Sequence, residues 1–364
     1  MAVRTATTTG WLLRGEDGRL TAYAAAPGGI VRWTETRPGG PWTGPQRFEV
    51  PGLEPYLSIA RSAEGYVSLV GVRRRAHEDG RAETDVVYAT QFQTGRALTT
   101  WRSIGTPYGQ DWERADQIGV PTAVADRVGL HIYFRNAGRG VSGRRQDARG
   151  IWGPWLDLHG SRVLDTGAAG VSADGRVELL AATADSVLRW RQEQPGGPMK
   201  RVPDTAAKTQ TAAFTSAPAD EGRISHFWRA GADGVLHVQH PAAPDPEAPD
   251  TAESPAPVAL ASLGTDGTGP VAALRTTLDG QECTVLAQRS ASGLPALAAY
   301  AAQDEPAADA SWSETGEECV GAPALALDAD GRVVVAVIAP DGGLRVARQR
   351  TDARGLALGA WERI

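Results

Sequence analysis

The chain has 364 residues, a net charge of −6 and only two cysteines. Nucleic-acid binding needs a concentrated basic face, and the sequence offers none; a scaffold stapled by disulfides needs far more cysteine. With 43 glycines, 24 prolines and no long amphipathic helical run, the composition fits many short strands joined by many turns.

Taken in order, the chain repeats one unit: an apolar run, a tight acidic-Gly turn and a second apolar run. The turns are Asp17-Gly18, Glu64-Gly65, a degraded copy at Asp126-Arg127-Val128-Gly129, then Asp174-Gly175, Glu221-Gly222, Asp279-Gly280 and Asp330-Gly331. Successive turn glycines are 47, 64, 46, 47, 58 and 51 residues apart. An Asp-Gly pair between apolar runs signals a β-hairpin whose two turn residues both take positive φ. A period near fifty built on hairpins predicts a propeller. The expected fold is therefore all-β: a seven-bladed β-propeller with four antiparallel strands per blade, forming a single domain over 1–364. The blades fall at approximately 10–52, 53–106, 119–160, 166–204, 212–264, 269–316 and 321–364.

Blade 1 reads as strands at 11–14, 20–24, 31–35 and 48–50. Blade 2 has a swollen, charged connection at 73–81 that includes Arg73, Arg74, Arg75 and His77. A second insertion at 106–118 separates blades 2 and 3 and holds Tyr108, Asp111, Trp112, Glu113, Arg114 and Asp116. Blade 5 carries the stretch 241–257, rich in Pro, Ala, Asp and Glu, a composition that predicts a mobile loop. Blade 7 is the clearest copy, with strands at 323–327, 332–338, 344–349 and 360–364. Every unit supplies its own four strands, so ring closure is assigned to side-chain packing. A strand added by 3–9 stays open.

Strand direction puts the connection between second and third strands, and the link between blades, on one face of the disc. The insertions of blades 2 and 3 share that loop face, and the Pro-rich stretch lies on the other. Loops on a rigid scaffold usually carry function, so the loop face is where a site is expected.

Blade 3 contains Gly119-Val120-Pro121-Thr122-Ala123-Val124, then His131-Ile132-Tyr133-Phe134-Arg135-Asn136-Ala137-Gly138, then Trp152-Gly153-Pro154-Trp155-Leu156-Asp157-Leu158-His159-Gly160. Partial copies are His226-Phe227-Trp228-Arg229, Trp101-Arg102-Ser103-Ile104-Gly105, Trp312-Ser313-Glu314-Thr315-Gly316 and Trp361-Glu362-Arg363-Ile364. This resembles the seven-bladed propeller lectins typified by the Photorhabdus lectin, and more loosely the tectonins. Their blades repeat an apolar-Phe-x-Arg strand and a Trp-x-x-Trp-x-x-Leu-Gly-Gly close. The resemblance implies sugar sites in grooves between adjacent blades, against aromatic and polar side chains. The repeats here have diverged. Blade 4 closes without Trp, at Met199-Lys200-Arg201-Val202-Pro203, and the position of Trp33 and Trp190 is Arg144, Val238 and Val346 elsewhere. One or two divergent sites are expected rather than a ring of equivalent ones.

The leading expectation is a non-catalytic lectin-like binder of a carbohydrate or a sugar-bearing small molecule, on the loop face of blades 2–5. Trp112, Tyr133 and Trp228 would stack on it; Asp111, Glu113, Arg135, His226 and Arg229 would supply polar contacts. The alternatives are a small-molecule enzyme (cyclase, isomerase or lyase) drawing acid–base groups from His77, Asp111, Glu113, His131 or His226, and a protein-interaction scaffold. Trp152 and Trp155 read as blade-to-blade packing. His237 and His240 point to opposite faces of a strand, so neither they nor any other spacing suggests a metal. No cofactor, nucleic-acid partner or membrane segment is expected. Cys283 and Cys319 read as reduced, buried thiols, with a disulfide left open. Without an apolar leader at the N-terminus, the expected location is the cytoplasm.

Overall fold

The computed structural model describes residues 8–78, 80–164, 167–210, 213–219, 223–231, 233–240, 255–302 and 310–364. The turn at Glu221-Gly222, residues 3–7 and most of the Pro-rich stretch, 241–254, lie outside the described residues.

Consecutive segments of chain form seven four-stranded antiparallel sheets, each in simple up-and-down order, arranged as a seven-bladed β-propeller. The second strand of blade 7, Val333–Ile338, shows why the ring holds together. All six side chains are buried. Val333 and Val335 join the cluster shared with blade 6, while Val334, Ala336 and Ile338 join the cluster shared with blade 1. Alternate residues of a strand point to opposite faces, so a strand buried on both faces reads as an unbroken apolar run. The same division recurs around the disc. Seven apolar clusters lie among the described residues, each straddling one pair of neighbouring blades.

The first and last blades meet through side chains. Trp11 Nε1 donates to the Ala322 carbonyl at 3.1 Å. Arg14 Nη1 donates to the Asp328 carbonyl at 2.7 Å. Arg348 Nη2 stands 2.6 Å from Oε1 of Glu35, whose side chain is 0% exposed. Glu35 Oε2 also accepts the Leu20 amide, so the buried carboxylate is held by both blades.

The hairpin turns differ from the sequence expectation in detail. Among the described acidic-Gly turns, only Asp279-Gly280 has both residues at positive φ, 50° and 81°. At Gly18, Gly65, Gly175 and Gly331 the glycine alone is left-handed, with φ of 79°, 79°, 83° and 78°. In these four the glycine amide returns to the carbonyl three residues earlier, at Gly15, Ser62, Ser172 and Asp328. These are the longer hairpins in which an ordinary turn is followed by one left-handed residue, a position that favours glycine. The acidic residue of the turn also binds backbone: Asp17 Oδ1 accepts the Arg19 amide, and Asp174 Oδ1 accepts the Arg176 amide.

Cys283 and Cys319 are free and buried. Burial pushes the Cys319 thiol up to about 11, so it stays protonated at neutral pH. No helix among the described residues is long and apolar enough to cross a membrane.

Candidate functional site

The loop-face residues singled out from the sequence occupy three separate environments. Asp111 caps a one-turn helix, Trp112–Ala115, its Oδ1 accepting the Arg114 amide at 3.2 Å. Trp112 is clamped by the neighbouring insertion. The His77 ring lies 4.7 Å from it and the Arg81 guanidinium 4.3 Å above it. Glu113 is exposed on the same turn. The two insertions thus hold one another, using the ring that would otherwise receive a ligand.

Tyr133, Trp228 and Arg229 are only 4%, 1% and 1% exposed. Tyr133 hydroxyl lies 3.2 Å from His131 Nδ1, and His131 Nε2 lies 2.9 Å from Asp126 Oδ2. Trp228 is stacked between Phe214 and His237. Arg229 donates to the Gly269 and Gly234 carbonyls and to Gln288 Oε1; burial pushes its pKa down to about 10. Arg135 donates to the Gln117 carbonyl at 2.9 Å. His226 is fully buried against Glu178 and Ser216. The physical reason is shared: these residues sit on second strands, flanked by strands on both sides and covered by blades on both faces. The side chains of Tyr133, His226, Trp228 and Arg229 are buried, and Arg135 is half-buried. A hollow of about 270 Å³ does lie nearby, lined by Tyr108, Arg114, Asn136, Ser142, Trp155 and Asp157. Its tyrosine is already covered by Arg114 at 4.8 Å.

The larger concavity, about 600 Å³, opens between blades 2 and 3 on the opposite face of the disc, beside the turns. It grows out of one alternating pattern. The second and third strands of blade 2, Val67–Ala76 and Ala82–Gln91, pair along their whole length, with Val72 opposite Val86, Val70 opposite Tyr88 and Ser68 opposite Thr90. Val70, Val72 and Val86 pack on Ala123, Leu130, Ile132 and Phe134 of blade 3. One step further along the same face the apolar side chains stop. Ser68 and Thr90 place hydroxyls 3.2 Å apart. Tyr66 and Phe92 continue the period onto the rim, 40% and 54% exposed, with rings edge to face at 5.0 Å. Edge-to-face packing leaves aromatic surface open to a ligand.

The facing wall comes from the Asp126–Gly129 turn and the Gln146–Gly150 turn of blade 3, and exposed Arg102 stands beside Tyr88 on the next strand of blade 2. Three carboxylates line this groove, the exposed Glu64 on its rim and Asp126 and Asp147 on the blade 3 wall. For Asp126, burial pushes the pKa up, but the His131 ring and the Val128 and Gly129 amides outweigh it and hold the group well below the usual range. Asp147 is lowered chiefly by the Ile151 amide, with help from Arg149. Both are fixed acceptors at neutral pH. Neither fits the proton-donating acid that glycoside cleavage requires.

Tyr66, Ser68, Tyr88, Thr90, Phe92 and Arg102 were not singled out from the sequence. The usable signal was there: Tyr66-x-Ser68-x-Val70 and Tyr88-x-Thr90-x-Phe92 are period-two runs in which hydroxyls interrupt an apolar stripe.

No protein-family profile and no curated protein matches the chain. Solved structures do. The BP39L lectin from Burkholderia pseudomallei superposes with a TM-score of 0.65 at 12% identity, over 99% of this chain and 100% of that one. A polysaccharide (ulvan) lyase bound to a GlcA–Rha3S saccharide gives 0.57 at 12% identity, over 96% and 93%. A variant of NanB sialidase from Streptococcus pneumoniae gives 0.51 at 12% identity, over 90% of this chain and 64% of that one. At such identities the likeness is one of fold, and this chain shares the propeller architecture found in a lectin.

Proposed function

We propose that the protein binds a carbohydrate, or a sugar-bearing small molecule, in the groove between blades 2 and 3 without transforming it. The observation that carries this reading is the Tyr66–Phe92 pair, exposed at the rim of a groove of about 600 Å³ whose walls bear hydroxyls, an amide and a guanidinium. A sugar ring offers an apolar C–H face and a belt of hydroxyls. An aromatic rim with Ser68, Thr90, Gln146 and Arg102 behind it matches both. The structural neighbours named above, a lectin, a sialidase and a polysaccharide lyase, support the same ligand class. So does the resemblance to the Photorhabdus-type lectins, in which sugars sit between blades. The ionised, amide-bound state of Asp126 and Asp147 favours binding over hydrolysis at this groove.

A glycan array followed by calorimetry on the best hit tests the proposal. Binding is expected, and Tyr66→Ala with Phe92→Ala should weaken it at least about tenfold, or 1.4 kcal/mol. No binding to any saccharide, or binding indifferent to both substitutions, refutes it.

A further inference from the structure

A second constellation lies at the blade 4–blade 5 junction, away from the groove. Ser216 and His226 are direct cross-strand partners on the first and second strands of blade 5, Thr215–Pro218 and Ile224–Arg229, so their side chains share a sheet face. That face meets the second strand of blade 4, Val177–Ala182, which carries Glu178. Ser216 Oγ is 2.8 Å from His226 Nδ1. His226 Nε2 is 3.4 Å from Glu178 Oε2. Glu178 Oε1 in turn accepts Arg191 Nε at 2.9 Å. The blades come close here because Gly170 stands on the strand facing Ser216: a Cβ at 170 would sit 3.2 Å from the Ser216 Cβ.

His226 and Glu178 are buried, but Ser216 is only partly so. It lines a cavity of about 180 Å³ at the mouth of the axial channel, formed by the first strands of blades 2–5 and by Thr8, Thr9 and Gly10. Thr215 beside it also lines the cavity, and its buried hydroxyl has no partner among the described residues. Glu178 satisfies only one ring nitrogen of His226; the other is met by Ser216, which links the buried pair to the wall of the cavity.

We infer that Ser216, His226 and Glu178 form a nucleophile relay that takes a short acyl group from an ester entering the axial channel. The protonation states agree with the geometry. Burial lowers the pKa of His226, keeping the imidazole neutral. Burial alone would raise Glu178, but the His226 hydrogen bond, with Arg191 and Arg189, holds it ionised. The imidazole proton therefore belongs on Nε2, facing the carboxylate, and the Nδ1 lone pair accepts the Ser216 hydroxyl proton. In the reaction Ser216 Oγ bonds to the ester carbonyl carbon as its proton passes to Nδ1. The tetrahedral adduct collapses, the ester C–O bond breaks and the leaving alkoxide takes the proton from Nδ1. Water, deprotonated by the same nitrogen, then releases the acyl group as a carboxylic acid and restores Ser216. The cavity is smaller than those that hold drug-sized ligands, which limits the acyl group to a few carbons.

The test is labelling of the full chain with a small dialkyl fluorophosphate, read by intact mass and peptide mapping. One adduct is expected, on Ser216, and Ser216→Ala should abolish it. His226→Gln should slow labelling at least about a hundredfold. Because that substitution is fully buried, the wild-type rate is also followed against pH. It should fall on acidification as His226, faced by Glu178, Arg189, Arg191 and His240, takes up a proton. A wild-type chain that forms no adduct, forms it elsewhere, or labels at a pH-independent rate overturns the inference.

Discussion

Ser68 and Thr90 face each other on neighbouring strands of blade 2, hydroxyl oxygens 3.2 Å apart, where the valines of that sheet face give way to open groove. Replacing both with valine would extend the stripe of Val70, Val72 and Val86 toward the rim. Valine suits a strand better than serine, so stability should hold or rise by up to about 1 kcal/mol. Saccharide affinity should fall at least about tenfold. Urea unfolding and calorimetry on Ser68→Val/Thr90→Val check both halves. Binding at the wild-type level would place the sugar elsewhere.

Closure of the ring rests on Glu35, buried in blade 1, and Arg348 of blade 7, 2.6 Å apart. Arg348→Met leaves the carboxylate buried without its cation, an omission that costs about 3 kcal/mol. A urea series should show that loss with secondary structure intact below the transition. A change under about 1 kcal/mol would mean the seam depends on apolar contact alone.

Acid should destabilise the fold in two stages. His226 has its pKa lowered by burial from 6.5, so the unfolded chain takes up the proton more readily. Its contribution is complete above that value and declines as pH falls below it. Burial lowers His237 in the same direction. The folded values of Glu178 and Asp126 are also depressed, so their contribution is present above the unfolded carboxylate range and is lost as pH drops through the folded values. The urea midpoint should therefore decrease from about pH 7.5 to about pH 5 and decrease again below about pH 4. A midpoint that rises over the first interval contradicts the assignment of His226 as neutral.

Trp112 ties two insertions together through His77 and Arg81. Trp112→Ala should remove a contact worth about 1 kcal/mol and free residues 77–81 to limited proteolysis. It should leave saccharide binding untouched, because the groove lies on the other face. Lost binding in this variant would instead favour the loop side.

Much of the architecture was readable because repetition amplifies weak signals. The turn glycines at 18, 65, 175, 280 and 331 all adopt the left-handed conformation that marks a hairpin. The unbroken apolar run Val333–Ile338 meant a strand covered on both faces. The aromatic and charged residues at strand ends were harder to place. Tyr133, Trp228 and Arg229 look like ligand contacts in one dimension, yet each is enclosed by a neighbouring blade that the local sequence does not specify. Trp112 was hard to place for the opposite reason: its partners, His77 and Arg81, lie in a different insertion. The groove depends on where two sheets part, and that follows from the register of blade 2 against blade 3. Only the interruption of the stripe by Ser68 and Thr90 hinted at it.

Hydrogen–deuterium exchange with and without the best-binding saccharide tests the central claim most directly. The groove reading predicts slowed exchange at 62–68, 88–92, 125–130 and 146–150, with 77–82 and 111–116 unchanged. Protection confined to 77–82 and 111–116 would contradict it.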